Sequence, residues 1–210
     1  MATRSRKRFG EKGLLIIGIC IAFTASLLFA LMLRQLPSGE SQHWSQQLPE
    51  YVNTEHLLPV NQYSRPATKI TAVNGIVVHY VANPATTALQ NRNYFAGLAD
   101  SGATYASSNF IIGLDGEILL VVPPDEVAYC SNERNSDTLS IECCHPDETG
   151  RFTEATYQSL VKLTKWLVQH YELSQDQILR HHDITGKLCP LYFVEHPDEW
   201  DAFRQEVTAP

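Results

Sequence analysis

Two imidazoles, a thiol and an ammonium group fall within eleven residues near the end of the chain, in Arg180-His181-His182-Asp183-Ile184-Thr185-Gly186-Lys187-Leu188-Cys189-Pro190. Imidazole nitrogen and thiolate sulfur are donors that zinc favours, and three protein donors with one open position is the catalytic arrangement. Thr185-Gly186 and Cys189-Pro190 read as turn signals. If Lys187-Leu188-Cys189 is extended, alternation with period two puts Lys187 and Cys189 on one side. A fixed positive charge would then stand beside whatever Cys189 holds. The plainer alternative for the segment alone is a His-rich surface loop followed by a buried cysteine. Other parts of the chain decide between the two.

Two further residues matter because of where the pattern puts them. Ile76-Val77-Val78-His79-Tyr80-Val81 is apolar on both faces and rich in β-branched residues, the signature of a fully buried strand. His79 is its one metal-binding side chain, and the later cluster makes it a ligand candidate. Thr138-Leu139-Ser140-Ile141-Glu142-Cys143-Cys144 reads as another strand, with Ser140, Glu142 and Cys144 opposite Leu139, Ile141 and Cys143. A carboxylate in the middle of such a strand is costly to bury without a purpose. An edge-strand glutamate facing water is the plainer alternative.

The elements that must position these groups follow from the same pattern. Thr86 or Thr87 can cap a helix reaching about Leu98, with Leu89, Phe95 and Leu98 toward a sheet, and Asp100-Ser101-Gly102 ends it. Asn109–Gly113 and Glu117–Val122 flank Leu114-Asp115-Gly116, a strong hairpin signal. Residues 130–135 read as a loop. Thr153 is a suitable N-cap for a long helix to Tyr171, whose Leu160, Leu163, Thr164, Leu167 and Val168 recur at three- and four-residue steps. A terminal helix around Trp200, Phe203 and Val207 packs back. Strands interleaved with helices predict an α/β fold: a single domain with a central mixed β-sheet flanked by helices.

Charge is divided unevenly. Residues 1–34 hold six Lys/Arg against one acid, whereas the remainder holds ten basic and twenty-two acidic side chains, for a net −7 overall. So acidic a main domain excludes a nucleic-acid partner that needs a basic footprint. Between Lys12 and Arg34 run 21 residues without a formal charge, enough for a transmembrane helix across roughly 30 Å of hydrocarbon. The basic flank predicts a cytoplasmic N-terminus and an exported domain. The expected organisation is a cytoplasmic tail at 1–12, a signal anchor at 13–33, a spacer and domain edge at 34–69, and the main domain at 70–207. The competing reading is a cleaved signal and a secreted product, but the apolar run is longer than usual and leads to Leu33-Arg34-Gln35-Leu36 with no small-residue cleavage site. With Cys20 in the apolar run and Cys189 a ligand candidate, Cys130 can pair with Cys143 or Cys144, or all three can be buried thiols. A monomer is expected.

With His79, Glu142, His181, Lys187 and Cys189 in place, the chain over roughly residues 70–205 resembles the zinc-dependent N-acetylmuramoyl-L-alanine amidases shared by phage endolysins, bacterial autolysins and animal peptidoglycan recognition proteins. The resemblance lies in the strand ending at His79, in Ser140-Ile141-Glu142, and in His181 followed at the family spacing by Lys187 and Cys189-Pro190. It implies Zn2+ as cofactor with ligands His79, His181 and Cys189, and a peptidoglycan or muropeptide substrate. Glu142 and Lys187 are then the catalytic groups. Asn109, Arg134 and Asn135 are candidate substrate contacts, and Asp183 a candidate outer partner of the metal. One departure is visible: some relatives carry a tyrosine near the metal on the strand matching Ser107-Ser108-Asn109-Phe110, where this chain offers serine and asparagine, with Tyr105 further upstream.

Amide hydrolysis passes through a tetrahedral intermediate, so it needs a nucleophilic water, a base and charge for the oxyanion. Glu142 suits the base. Lys187 suits the oxyanion, a kind of contact worth about 3–4 kcal/mol when lost. Two other classes compete. A non-catalytic peptidoglycan receptor on the same fold typically lacks the cysteine ligand, which is present here. A cysteine peptidase using Cys189 would want a helix N-terminus after the thiol, and Pro190 follows instead.

Overall fold

The computed structural model describes residues 47–209. The basic tail and the expected membrane anchor lie outside the described residues, and among the described residues no helix is long and apolar enough to cross a membrane. The described residues belong to one compact unit. Residues 47–69 are part of it: Val52 sits in an edge strand, and the buried Leu58 lies under the sheet face that carries the site.

The strands are β1 (Val52–Asn53), β2 (Ile76–Tyr80), β3 (Phe110–Ile112), β4 (Ile118–Leu120), β5 (Leu139–Cys143) and β6 (Ile178–Arg180), in the order β1-β4-β3-β5-β2-β6. Only the β3–β4 hairpin is antiparallel; the other neighbours run parallel. The sheet is therefore mixed, as the alternation of strands and helices predicts. Parallel strands are covered on both faces, which explains why β2 reads as a continuous apolar run.

Helix α1 spans Ala88–Ser101 and α2 spans Glu154–Tyr171; short helices α3 (His181–Thr185) and α4 (Leu191–Glu195) lead into α5 (Pro197–Thr208). One sheet face carries Ile76, Val78, Phe110, Leu139 and Ile141 against Leu160, Leu163 and Leu167 of α2 and Trp200, Phe203 and Val207 of α5. Each such fully buried side chain contributes about 1.5–3 kcal/mol. The other face carries Ile111, Leu119 and Cys144 against Ala88, Phe95 and Leu98 of α1.

The caps follow the residue types. Thr87 Oγ1 accepts from the Gln90 N–H while the Gln90 side chain accepts from the Thr87 N–H, a reciprocal box that starts α1. Thr153 caps α2 and also donates to the Leu114 carbonyl over 2.7 Å, tying the long helix to the hairpin turn. In that turn Gly116 has φ +85°, and a Cβ would lie 2.8 Å from the Ala155 carbonyl oxygen, so only glycine fits.

One helix face differs from expectation. Leu89 is exposed, and the buried side of α1 is Ala88, Asn91, Phe95 and Leu98. Asn91 holds the inward position because its amide donates to the Thr87 carbonyl and the Thr86 hydroxyl, so its burial leaves the amide nitrogen satisfied.

Candidate metal and catalytic centre

Register alone brings the first two site residues together. His79 and Glu142 are direct partners across the β2–β5 pair, and Ile111 of β3 faces Glu142 from the other side. Parity puts His79 and Glu142 on the α1 face, at the end of two strands whose opposite residues fill the larger core. The last two arrive from β6. Arg180 ends that strand and α3 begins at once with the buried His181. The start of α3 is fixed by Arg180 and Asp183: the Asp183 carboxylate accepts from the Arg180 N–H at 2.8 Å and pairs with its guanidinium at 2.7 Å. Arg180 Nη1 also donates to the Phe193 carbonyl, locking the helix start to α4. After Gly186 the chain doubles back, and the His182 N–H donates to the Cys189 carbonyl over 2.9 Å.

The run from Lys187 to Cys189 is not extended. The Cys189 N–H donates to the Lys187 carbonyl at 2.7 Å, closing a three-residue turn. Both side chains nonetheless line one cavity of about 150 Å3, together with His79, Tyr80, Ser107, Tyr129, Cys130, Glu142 and His181.

The nitrogens and sulfur of His79, His181 and Cys189 lie within 4.8 Å of one another. His79 Nδ1 is 3.7 Å from Cys189 Sγ, and the two imidazoles meet edge to face with centroids 4.7 Å apart. The outer ring nitrogens are occupied: His79 Nε2 meets Ser131 Oγ at 3.2 Å, and His181 Nε2 donates to Asn132 Oδ1 at 2.8 Å. That leaves His181 Nδ1 buried, aimed inward and without a hydrogen-bond partner. A buried nitrogen lone pair beside a second imidazole and a thiol is what a zinc ion completes, and the donor set fits it.

Electrostatics agree. Burial holds His79 well below the usual imidazole range, helped by His181 and Lys187, and burial with Lys187 lowers His181. Both rings are neutral near pH 7, the form that donates a lone pair. Burial, with the Glu142 charge, pushes the Cys189 thiol up to about 12. Without a cation it keeps its proton, which coordination displaces. Burial raises Glu142 to about 7, opposed by the Cys130 thiol and by Lys187. Cys130 Sγ stands 3.5 Å from Glu142 Oε1, and Glu142 Oε2 has no hydrogen-bond partner.

The other expected residues fall elsewhere. Asn109 is fully buried, and its amide is occupied by the carbonyls of Pro123 and Glu126 and by Ser140, so it pins the sheet and does not line the cavity. Arg134 pairs with Asp137 at 2.8 Å and does not reach the cavity. Asn135 lines an adjoining pocket of about 200 Å3 with Tyr105, Tyr129, Cys130 and Asn132. Its Oδ1 accepts from the N–H groups of Cys130 and Ser131, at 3.0 and 2.6 Å. Asp183 holds Arg180. Cys130, Cys143, Cys144 and Cys189 are free thiols. Ser131, Asn132 and Cys130 are the site residues that sequence reading did not single out. They sit in a loop of turn-forming types, and only the fold shows that three successive side chains reach His79, His181 and Glu142.

Residues 69–191 match the family model described as N-acetylmuramoyl-L-alanine amidase. A probable N-acetylmuramoyl-L-alanine amidase of Bacillus licheniformis is 35% identical over 164 residues, covering 72% of this chain and 46% of that protein. The amidase BlyA of Bacillus subtilis (strain 168) is 31% identical over 179 residues, covering 75% of this chain and 47% of its own length. The chain thus spans about half the length of these curated relatives. Among solved structures, the catalytic domain of XlyA superposes with a TM-score of 0.62 at 23% identity, covering 74% of this chain and 98% of that one. PlyL superposes at 0.63 and 20% identity, covering 75% and 97%. These two likenesses speak for the fold alone.

Proposed function

The chain belongs to the N-acetylmuramoyl-L-alanine amidase family, and from that we propose that it is a peptidoglycan hydrolase cutting the amide between N-acetylmuramic acid and the L-alanine of the stem peptide. The observation that carries the reading is Glu142 paired in register with His79, in one cavity with His181, Cys189 and Lys187. Zn2+ held by His79, His181 and Cys189 would supply Lewis acidity to the carbonyl and acidify water.

The chain's own groups account for the proton traffic. Burial raises Glu142 to about 7 in the metal-free protein, which makes it a stronger base than an exposed carboxylate and suits a group that must act first as base and then as acid. The Cys130 thiol holds Oε1, leaving Oε2 free to accept the proton of the attacking water. The same carboxyl then delivers that proton to the departing amine. Lys187 borders the cavity as a positive charge, and its ammonium stabilises the oxyanion. Tyr129 and Cys130 are shared with the adjoining pocket, which gives a polymeric substrate room beyond the scissile bond.

The basic tail and the 21-residue apolar run support a single-pass anchor in a bacterial membrane. The N-terminus is then cytoplasmic and the hydrolase faces the wall outside; cleavage of the run would give a secreted form. The test is the mass of fragments released from purified peptidoglycan by the full chain in detergent. The expected product is a stem peptide with a new N-terminal alanine amine and an intact glycan strand. Glu142→Gln should keep the metal while turnover falls about 10²–10⁴-fold. Lys187→Ala should lower kcat more than it raises KM. Cleavage at another bond, or full turnover by the glutamine variant, would refute the assignment.

A further inference from the structure

A second donor set occupies the same cavity. His79, Cys130 and Glu142 also place their ligand atoms within 4.8 Å of one another. Its chemistry differs from that of the first set, combining a thiol with a carboxylate at the border of one imidazole. Cys130 Sγ lies 3.5 Å from Glu142 Oε1, and Glu142 Oε2 is buried without a hydrogen-bond partner. A carboxylate oxygen left so is uncommon in a folded protein and marks a place where something can bind. The thiol is fixed from behind, because Asn135 Oδ1 holds the N–H groups of both Cys130 and Ser131.

We propose that Cys130 and Glu142, bordered by His79, form a second seat for a thiophilic divalent cation such as zinc or cadmium, and that filling it stops hydrolysis by occupying the carboxylate of the base. His79 is common to both sets, and its Nδ1 serves the first. The second cation is therefore held by Cys130 Sγ and the Glu142 carboxylate, with water completing its shell. Coordination sends the thiol proton to solvent and involves no redox step. Two protein donors, with Lys187 and the first cation repelling, make this the weaker seat, so it fills only when cation is in excess. The shut-off rests on the reading of Glu142 as base; the binding does not.

The full chain in detergent, loaded with one equivalent of cadmium, is given a second. The ultraviolet thiolate-to-cadmium absorption should rise in a second step. Alkylation of Cys130 by iodoacetamide, followed by peptide mapping, should slow about tenfold once free cadmium reaches some tenfold over its Kd. The mapping needs no variant and so holds if a substitution misfolds. In Cys130→Ser the first absorption step should remain and the second should vanish. An unprotected Cys130, or a second step of equal size in the serine variant, would overturn the seat. Protection of Cys130 with peptidoglycan hydrolysis undiminished would overturn the shut-off and tell against Glu142 as the base. Loss of hydrolysis in step with protection supports both.

Discussion

Replacing Glu142 by glutamine isolates what the fold gives up to keep a carboxylate in the cavity. Burial raises this carboxyl from 4.5 to about 7, with the Cys130 thiol and Lys187 pulling the other way. The folded protein therefore holds the proton more tightly than the unfolded chain does. For an acid shifted in this direction, stability is greatest below the unfolded value, falls as pH rises toward about 7, and is level above. At about 1.36 kcal/mol per pH unit, the interval from 4.5 to about 7 corresponds to about 3 kcal/mol. In a domain of this size that is about 6–12 °C in Tm. Glutamine has nearly the same shape and does not ionise. In the metal-free full chain, Glu142→Gln should melt several degrees above the parent at about pH 8 and differ much less at about pH 5. Loading the cation should narrow the gap, since a positive charge beside an ionised carboxylate favours it. Thermal melts by near-ultraviolet circular dichroism after chelation measure this. Parallel Tm curves for parent and variant between the two pH values would refute the reasoning.

Two further outcomes follow from groups outside the first circle of donors. Asn132→Ala removes the acceptor 2.8 Å from His181 Nε2 and should weaken zinc about 10–100-fold in competition with a chelator. Asn132 has φ +53°, so Asn132→Gly, which keeps that backbone shape at no steric cost, should show the same loss if the amide oxygen is responsible. Hydrogen bonds from Arg134 hold the Asp137 carboxyl below the usual carboxylate range, against burial. Its stabilisation is thus complete above about 3.9 and lost as pH falls through the lower folded value, so Asp137→Asn should flatten the acid limb of a Tm–pH curve.

Much of this was legible from the chain because the important residues break their surroundings. His79 is the imidazole in an apolar strand and Glu142 the carboxylate in another, and period two puts both on chosen faces. His181 and Cys189 stand out by donor chemistry. The three-residue turn at Lys187–Cys189 was not legible, since an extended run places the same side chains together for a different reason. Leu89 misled because leucine is apolar, whereas the inward stripe of α1 runs through Ala88, Asn91, Phe95 and Leu98 at helical spacing. Asn91 goes inside because its amide finds partners that no periodicity records. Ser131 and Asn132 carry no signal of their own; they look like turn residues, and their role depends on what lies across the cavity. Asn109 shows the converse, a polar residue that looked like a binding group and spends its hydrogen bonds holding strands together.

The two donors that approach each other at 3.7 Å, His79 and Cys189, are 110 residues apart in the chain. β6, which delivers His181 and then Cys189, pairs in parallel at the edge of the sheet on β2. Such distant parallel pairing is slow to form, because a long loop must close before any contact rewards it. A ribosome makes His79 and Glu142 well before the residues that finish the centre. A nascent polypeptide can thus carry His79 and Glu142 while it still lacks two of the three donors. The donor set is complete only once Cys189 has been made and β6 has docked on β2, which ties the metal centre to the last of the described strands in chain order.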